Sequence, residues 1–236
     1  VECMAITPKY TPSKRAIVFT HPIGGGSFLP LVTALAHGGH HVLYVNPRYR
    51  GNDSALVMEK CISDLAAALR HARDRLGYEQ FILGGWSGGG SMSLFYQDQA
   101  ESPTITHTPA GDAYDLTAIE MPKVDGIMLL AAHISRAMTL TEWIDPSILD
   151  EAKPFERDAE LNIYDPANPN KAPYDEAYVA RFRTAQIARN RRITAWVKEE
   201  LAAIRASDTP NAERAFVVHG TMADVRWTDP SQDASD

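Results

Sequence analysis

Cysteine is almost missing from this chain: Cys3 and Cys61 are the only two. Two thiols are too few for a disulfide framework or a thiolate metal site, and the expected setting is reducing and cytoplasmic. Long apolar runs are also missing. Nothing approaches the ~20 residues of a membrane span, so no membrane partner is expected. Positive charge is short as well, with 23 Lys and Arg against 30 Asp and Glu and a formal net charge of -7. That balance gives no electrostatic footprint for nucleic acid or an anionic lipid surface. What remains is ordinary in composition, 44% hydrophobic and 22% charged, which is the make-up of a compact globular chain and not of a disordered one. At 236 residues it is long enough for one sizeable core.

Strand-like and helix-like segments alternate along the first half. Arg15 to Thr20 reads as a strand that enters the turn Pro22-Ile23-Gly24-Gly25-Gly26. Phe28 to His37 is apolar at helical spacing and stops at Gly38-Gly39. A second strand follows at His41 to Val45. Ser54 to Leu76 is the clearest helix, with Leu56, Cys61, Ile62, Leu65, Leu69, Ala72 and Leu76 in one stripe and Gly77 closing it. Phe81 to Leu83 is a third strand and runs into a helix over Ser91 to Tyr96. After a surface excursion at Glu101 to Glu120, Gly126 to Ala132 is a fourth strand.

The rhythm then breaks. Between Ile134 and Asp208 five prolines punctuate the chain, and the only long periodic segment is a helix from about Asp175 to Ala206. This stretch reads as an inserted helical cap, residues 134–208. Ala215 to Val218 reads as a returning strand that ends at His219-Gly220 and Asp224. The expectation is an α/β fold with a mostly parallel sheet flanked by helices, its core formed by residues 1–133 and 209–236.

Between the third strand and its helix lies Gly85-Trp86-Ser87-Gly88-Gly89, a G-x-S-x-G sequence. In that pattern a serine sits on a sharp strand-to-helix turn and small neighbours let backbone approach. A phosphate loop would need a different signature, and neither G-x-x-x-x-G-K-[ST] nor a well-placed G-x-G-x-x-G occurs. At these residues the chain resembles the α/β-hydrolase superfamily. His21-Pro22-Ile23-Gly24-Gly25-Gly26 is similar to its oxyanion loop, Arg50-Gly51-Asn52-Asp53-Ser54 to its R-G-x-G-x-S turn, and Val218-His219-Gly220 through Asp224 to its acid-bearing strand end. Two departures stand out: Pro22 follows the histidine where a glycine is usual, and Asp53 replaces the second glycine of the turn.

The resemblance implies a serine hydrolase that cleaves a carboxylic ester or related acyl bond through an acyl-enzyme at Ser87. A serine hydroxyl needs a base, a carboxylate to orient the base, and donors for the oxyanion. The donors implied are the backbone amides of Gly88 and of the Ile23-Gly24 turn. The acid implied is Asp224, with Glu142 or Asp145 as alternatives in a variant layout. On that basis Asp224→Asn should lower turnover far more than stability.

The superfamily order of serine, acid, histidine leaves no histidine after Asp224. None of the eight histidines lies where the resemblance demands one. Two accounts stay open, a histidine carried by a C-terminal segment beyond Asp236 or a protein that never had it, and the first is favoured. Trp86 and Trp143 are assigned to the substrate site. Arg181, Arg183, Arg189, Arg191 and Arg192 on the long helix read either as a clamp for a substrate carboxylate or as a solvated face paired with Glu176, Glu199 and Glu200. The expected partner is a small-molecule acyl substrate, a homodimer is compatible with the sequence, and no metal or organic cofactor is implied. Cleavage of a C-C, amide or thioester bond, or non-catalytic ligand binding on the same fold, are the competing readings.

Overall fold

The computed structural model describes residues 1–26, 29–51 and 54–232. Phe28, Asn52 and Asp53, which entered the reading above, lie outside the described residues. The chain divides into two compact units, Val1–Arg136 and Ala137–Asp236. The described residues from 209 to 232 fall in the second unit.

The first unit is a five-stranded sheet with helices. In chain order it contains β1 (Glu2–Ile6), β2 (Arg15–Thr20), α1 (Pro30–His37), β3 (His41–Asn46), α2 (Met58–Leu76), β4 (Gln80–Trp86), α3 (Gly88–Glu101) and β5 (Gly126–Leu130). The strand order is β1-β3-β2-β4-β5, parallel throughout except for β1. This is the mixed α/β class the alternation of segments leads one to expect.

The strands read as unbroken apolar runs because both faces are covered. Ala16 and Val18 of β2, Leu43 and Val45 of β3 and Leu83 of β4 pack with Ile62, Leu65 and Leu69 of α2 and Met92 and Tyr96 of α3. Their neighbours one residue along, Ile17, Phe19, Val42 and Tyr44, pack on the other face with Val32 and Ala36 of α1. The two-residue period of the strand thus feeds two cores. α2 ends at Gly77, whose φ of 75° only glycine adopts without strain, and the Gly77 N–H caps the Ala72 carbonyl.

Several sequence expectations change. The helix expected from Ser54 begins at Met58, and the one expected over Ser91 to Tyr96 spans Gly88 to Glu101. β1 carried no strand signal because its side chains are almost all exposed: it is an edge strand with a single neighbour, and nothing imposes an apolar period. The strand expected at Ala215 to Val218 does not form. That segment is irregular and pairs with no strand among the described residues, and Val217 is 72% exposed. A β-branched run alone does not make a strand when no edge accepts its hydrogen bonds.

The second unit contains α4 (Arg136–Trp143), whose first residue closes the first unit, and α5 (Glu176–Arg205). Asp175 caps α5 by accepting a hydrogen bond from the Tyr178 N–H at 2.7 Å. Tyr178 and Phe182 of α5 pack with Leu161, Ile163, Ala223 and Val225. The next inward positions on the same face are polar. The Gln186 side-chain amide donates to the carbonyls of Glu142 and Ile144 at 2.7 and 3.0 Å. Arg189, wholly buried, donates to the Asp145 and His219 carbonyls and pairs with Glu151 at 2.7 Å. Irregular chain leaves carbonyls that no ladder satisfies, and these long side chains supply the donors. Among the described residues no helix is long and apolar enough to cross a membrane.

Candidate active site

The site is built where β4 meets α3. Ser87 lies between them with φ 54° and ψ -125°, a conformation that costs an L-residue energy and persists only when its surroundings impose it. The surroundings are visible. The Ser87 N–H donates to the Leu130 carbonyl at 3.1 Å, and the Ser87 carbonyl accepts from the His133 N–H at 3.0 Å. The end of β5 therefore grips the bend on both sides.

The glycines of the motif are required by contact. A Cβ on Gly85 would lie 2.5 Å from the Gly90 Cα, and one on Gly89 only 2.2 Å from the Thr20 carbonyl oxygen. Strand, bend and helix are packed backbone to backbone, which is the strand–turn–helix geometry of the α/β-hydrolase nucleophile turn.

Ser87 is half-buried, and its Oγ lies 2.9 Å from Nε2 of His133. His133 follows β5 and reaches the serine because Ala131 turns the chain through a left-handed conformation, φ 44°. His133 is one of the eight histidines to which the resemblance gives no role. A signal was nevertheless present. If the third and fourth strands are parallel neighbours, the residues just past both ends share one edge, and the register does pair Trp86 with Leu130.

The expected oxyanion donors divide. Gly88 is the first residue of α3, and among the described residues no hydrogen bond engages its N–H. The loop amides are committed elsewhere. The Gly24 N–H donates to the His21 carbonyl at 2.9 Å and the Ile23 N–H to His21 Nδ1 at 3.4 Å. The Gly25 and Gly26 amides donate to Asn46 Oδ1 and Tyr44 Oη. Glycine lets the loop fold tightly, and the tight fold satisfies its own amides.

His21 stands beside this bend. Its ring centroid is 5.7 Å from that of Trp86, which is 40% exposed, and a Cβ on Gly88 would lie 3.3 Å from His21 Nε2. Burial, then the charges of Arg136 and His133, hold the His21 imidazole below its ordinary value of 6.5. Each of these favours the neutral form of the ring. The buried Cys61 thiol, by contrast, is pushed up to about 12 by burial and is inert.

Asp224 sits in the second unit, 5% exposed. Arg226 donates to its two oxygens at 3.1 and 2.7 Å, Arg183 approaches at 3.3 Å, and the Arg226 N–H donates to Oδ1 at 3.0 Å. Burial alone would raise this carboxyl, but the Arg226 hydrogen bonds and the two positive charges outweigh it and hold the group below its ordinary value. These surroundings are those of a structural ion pair, and they change the expected effect of Asp224→Asn. Two guanidinium groups lose their anion, only partly screened by solvent, so urea unfolding of the second unit should lose about 1–3 kcal/mol. Labelling of Ser87 should be unchanged. In the unsubstituted chain this contribution is complete above about pH 4 and is lost as the pH falls through the depressed folded value.

The alternative acids are likewise engaged. Glu142 pairs with Arg226 at 2.6 Å, and Asp145 Oδ2 is 3.3 Å from Arg157. The arginines of α5 pair with acids other than those expected from sequence: Arg181 with Glu160, Arg183 with Glu142 and Asp224, Arg189 with Glu151. Arg192 donates to the Ile148 carbonyl. Trp143 ends α4, half-buried in the second unit, and its carbonyl accepts from the Ala223 N–H.

No protein-family model matches the chain, and no curated protein does. Among solved structures it is similar to esterase B from Lactobacillus rhamnosis inhibited by a tributyrin phosphonate, at 17% identity and TM-score 0.39, over 53% of this chain and 42% of that one. It is similar to the metagenome-derived lipolytic enzymes LipS and LipT, at 18% identity and TM-score 0.39, over 57% and 46%. An α/β serine hydrolase homologue from Coxiella burnetii aligns at 16% identity and TM-score 0.34, over 56% and 83%. The alignments span less than half the length of the first two neighbours, and likenesses this slight say nothing of activity.

Proposed function

We propose that the chain is a serine hydrolase that cleaves a carboxylic ester, or a related acyl bond, through an acyl-enzyme at Ser87. The observation that carries the proposal is the 2.9 Å contact between Ser87 Oγ and His133 Nε2 on a bend held in a strained conformation. Hydroxyl and imidazole at that separation meet the geometric requirement for a nucleophile and its base. With the hydroxyl donating, Nε2 is the unprotonated nitrogen of the ring.

The steps follow from that contact. Ser87 Oγ bonds to the carbonyl carbon while its proton passes to His133 Nε2, and the carbonyl oxygen takes up the negative charge. The oxygen returns its electron pair, the bond to the alcohol breaks, and the departing alkoxide takes the proton from His133. Water then repeats the sequence on the acyl-enzyme: His133 accepts its proton, the carboxylic acid is released, and Ser87 regains its hydrogen. The Gly88 N–H, at the positive end of the 14-residue helix α3, is one donor to the oxyanion. Trp86 beside the bend offers apolar surface to the acyl or alcohol group. Asp224, with both oxygens held by guanidinium groups, has no part in these steps.

A fluorophosphonate probe tests the proposal directly. Expected is stoichiometric phosphonylation of the intact chain, with the adduct on the peptide that contains Ser87, and competition by p-nitrophenyl esters. An unlabelled chain that still binds small acyl compounds would favour the binding-protein reading.

A further inference from the structure

Resting on the Ser87 hydrolase reading, we infer that the side chain of His21, through its Nε2–H, is the second oxyanion donor, in place of the backbone amides of its own loop. All four amides from Ile23 to Gly26 donate within the loop or to β3, to His21 Nδ1, His21 O, Asn46 Oδ1 and Tyr44 Oη respectively. An amide already donating inward adds nothing to a developing oxyanion. The Gly88 N–H is then a lone donor unless a side chain joins it.

The Ile23 contact fixes the tautomer of His21. A backbone N–H only donates, so Nδ1 is the accepting nitrogen, and in the neutral ring the hydrogen is on Nε2. Nε2 lies on the Gly88 side of the ring, 3.3 Å from where a Cβ on that glycine would stand. A larger residue at 88 would crowd the ring, so glycine there also keeps the space between the two donors. With Nδ1 accepting from the Ile23 N–H, the ring faces Gly88 as a donor and not as a second base, and burial with the neighbouring Arg136 and His133 favours that neutral form.

The experiment compares the rate of phosphonylation at Ser87 by a fluorophosphonate in the intact chain and in His21→Phe, His21→Gln and His133→Gln. His21→Phe keeps a flat ring against Trp86 and removes the donor, and His21→Gln retains an N–H. Expected is a loss of roughly 100-fold in His21→Phe, with substantial recovery in His21→Gln and no change in KM for a p-nitrophenyl ester. Labelling of His21→Phe at the unsubstituted rate, with His133→Gln still impaired, overturns the role of His21 and leaves the hydrolase reading standing. Absence of any Ser87-dependent labelling in the unsubstituted chain overturns both. Should His21→Phe fail to fold, the ring nitrogens of His21, labelled with 15N, decide the matter. On phosphonylation the Nε2–H resonance is expected to move downfield as it bonds the phosphonyl oxygen, and a resonance that stays in place overturns the inference.

Discussion

His133→Gln is expected to slow both phosphonylation and ester turnover by about 10²- to 10⁴-fold, and Ser87→Ala to abolish them. Glutamine fills a similar space and can hydrogen-bond to the serine, but it cannot take the proton. The whole loss therefore reports on base catalysis at the 2.9 Å contact. Each tenfold corresponds to about 1.4 kcal/mol in the barrier. His133 is half-buried, so its replacement should move the melting temperature by less than about 3 °C. Undiminished labelling in His133→Gln would remove His133 from the mechanism. Stability gives a second readout at the bend. Ser87 occupies a backbone region that glycine enters freely, so Ser87→Gly should be more stable than Ser87→Ala by about 1 kcal/mol while equally inactive. A position that glycine fills at less cost than alanine is one where the backbone holds an L-residue against its own preference.

How far the sequence carries the reading is clearest at the bend itself. The glycines around Ser87 are legible because they answer a local requirement, close backbone approach over a few residues, and the structure supplies each contact partner. The sheet is legible for a related reason: strands covered on both faces are apolar at successive positions, so Ala16 to Phe19 and Val42 to Val45 show as runs. β1 is not legible because it is exposed, and the segment at 215–218 misleads because a strand needs a partner that residue preference does not provide. His133 is the instructive case. Its contact with Ser87 depends on two strand ends lying side by side, on the Trp86–Leu130 register and on the left-handed turn at Ala131, and a single segment of sequence shows none of these. Chain order borrowed from a family pointed past Asp236, whereas the physical neighbour of the serine lies 46 positions after it. Asp224 shows the converse: strand-end position marks it as an acid, but only the structure reveals that Arg183 and Arg226 hold both of its oxygens.

Gly89→Ala should be a severely damaging substitution in the first unit. The added carbon would meet the Thr20 carbonyl oxygen at 2.2 Å, backbone against backbone, where no side chain can rotate away. The first turn of α3 has to withdraw from the end of β2, which moves Ser87 and the Gly88 amide together. Overpacking of this kind costs about 3 kcal/mol or more, or roughly 6–12 °C in melting temperature for a chain of this length. A displacement of about 1 Å at the nucleophile lowers labelling about 100-fold in whatever fraction still folds. Gly126→Ala is the matched control: nothing lies within 4 Å of its added carbon, so stability and labelling should both hold. If Gly89→Ala instead melts and labels like Gly126→Ala, then α3 does not rest against β2 as the structure has it, and the bend is not what holds Ser87 against His133.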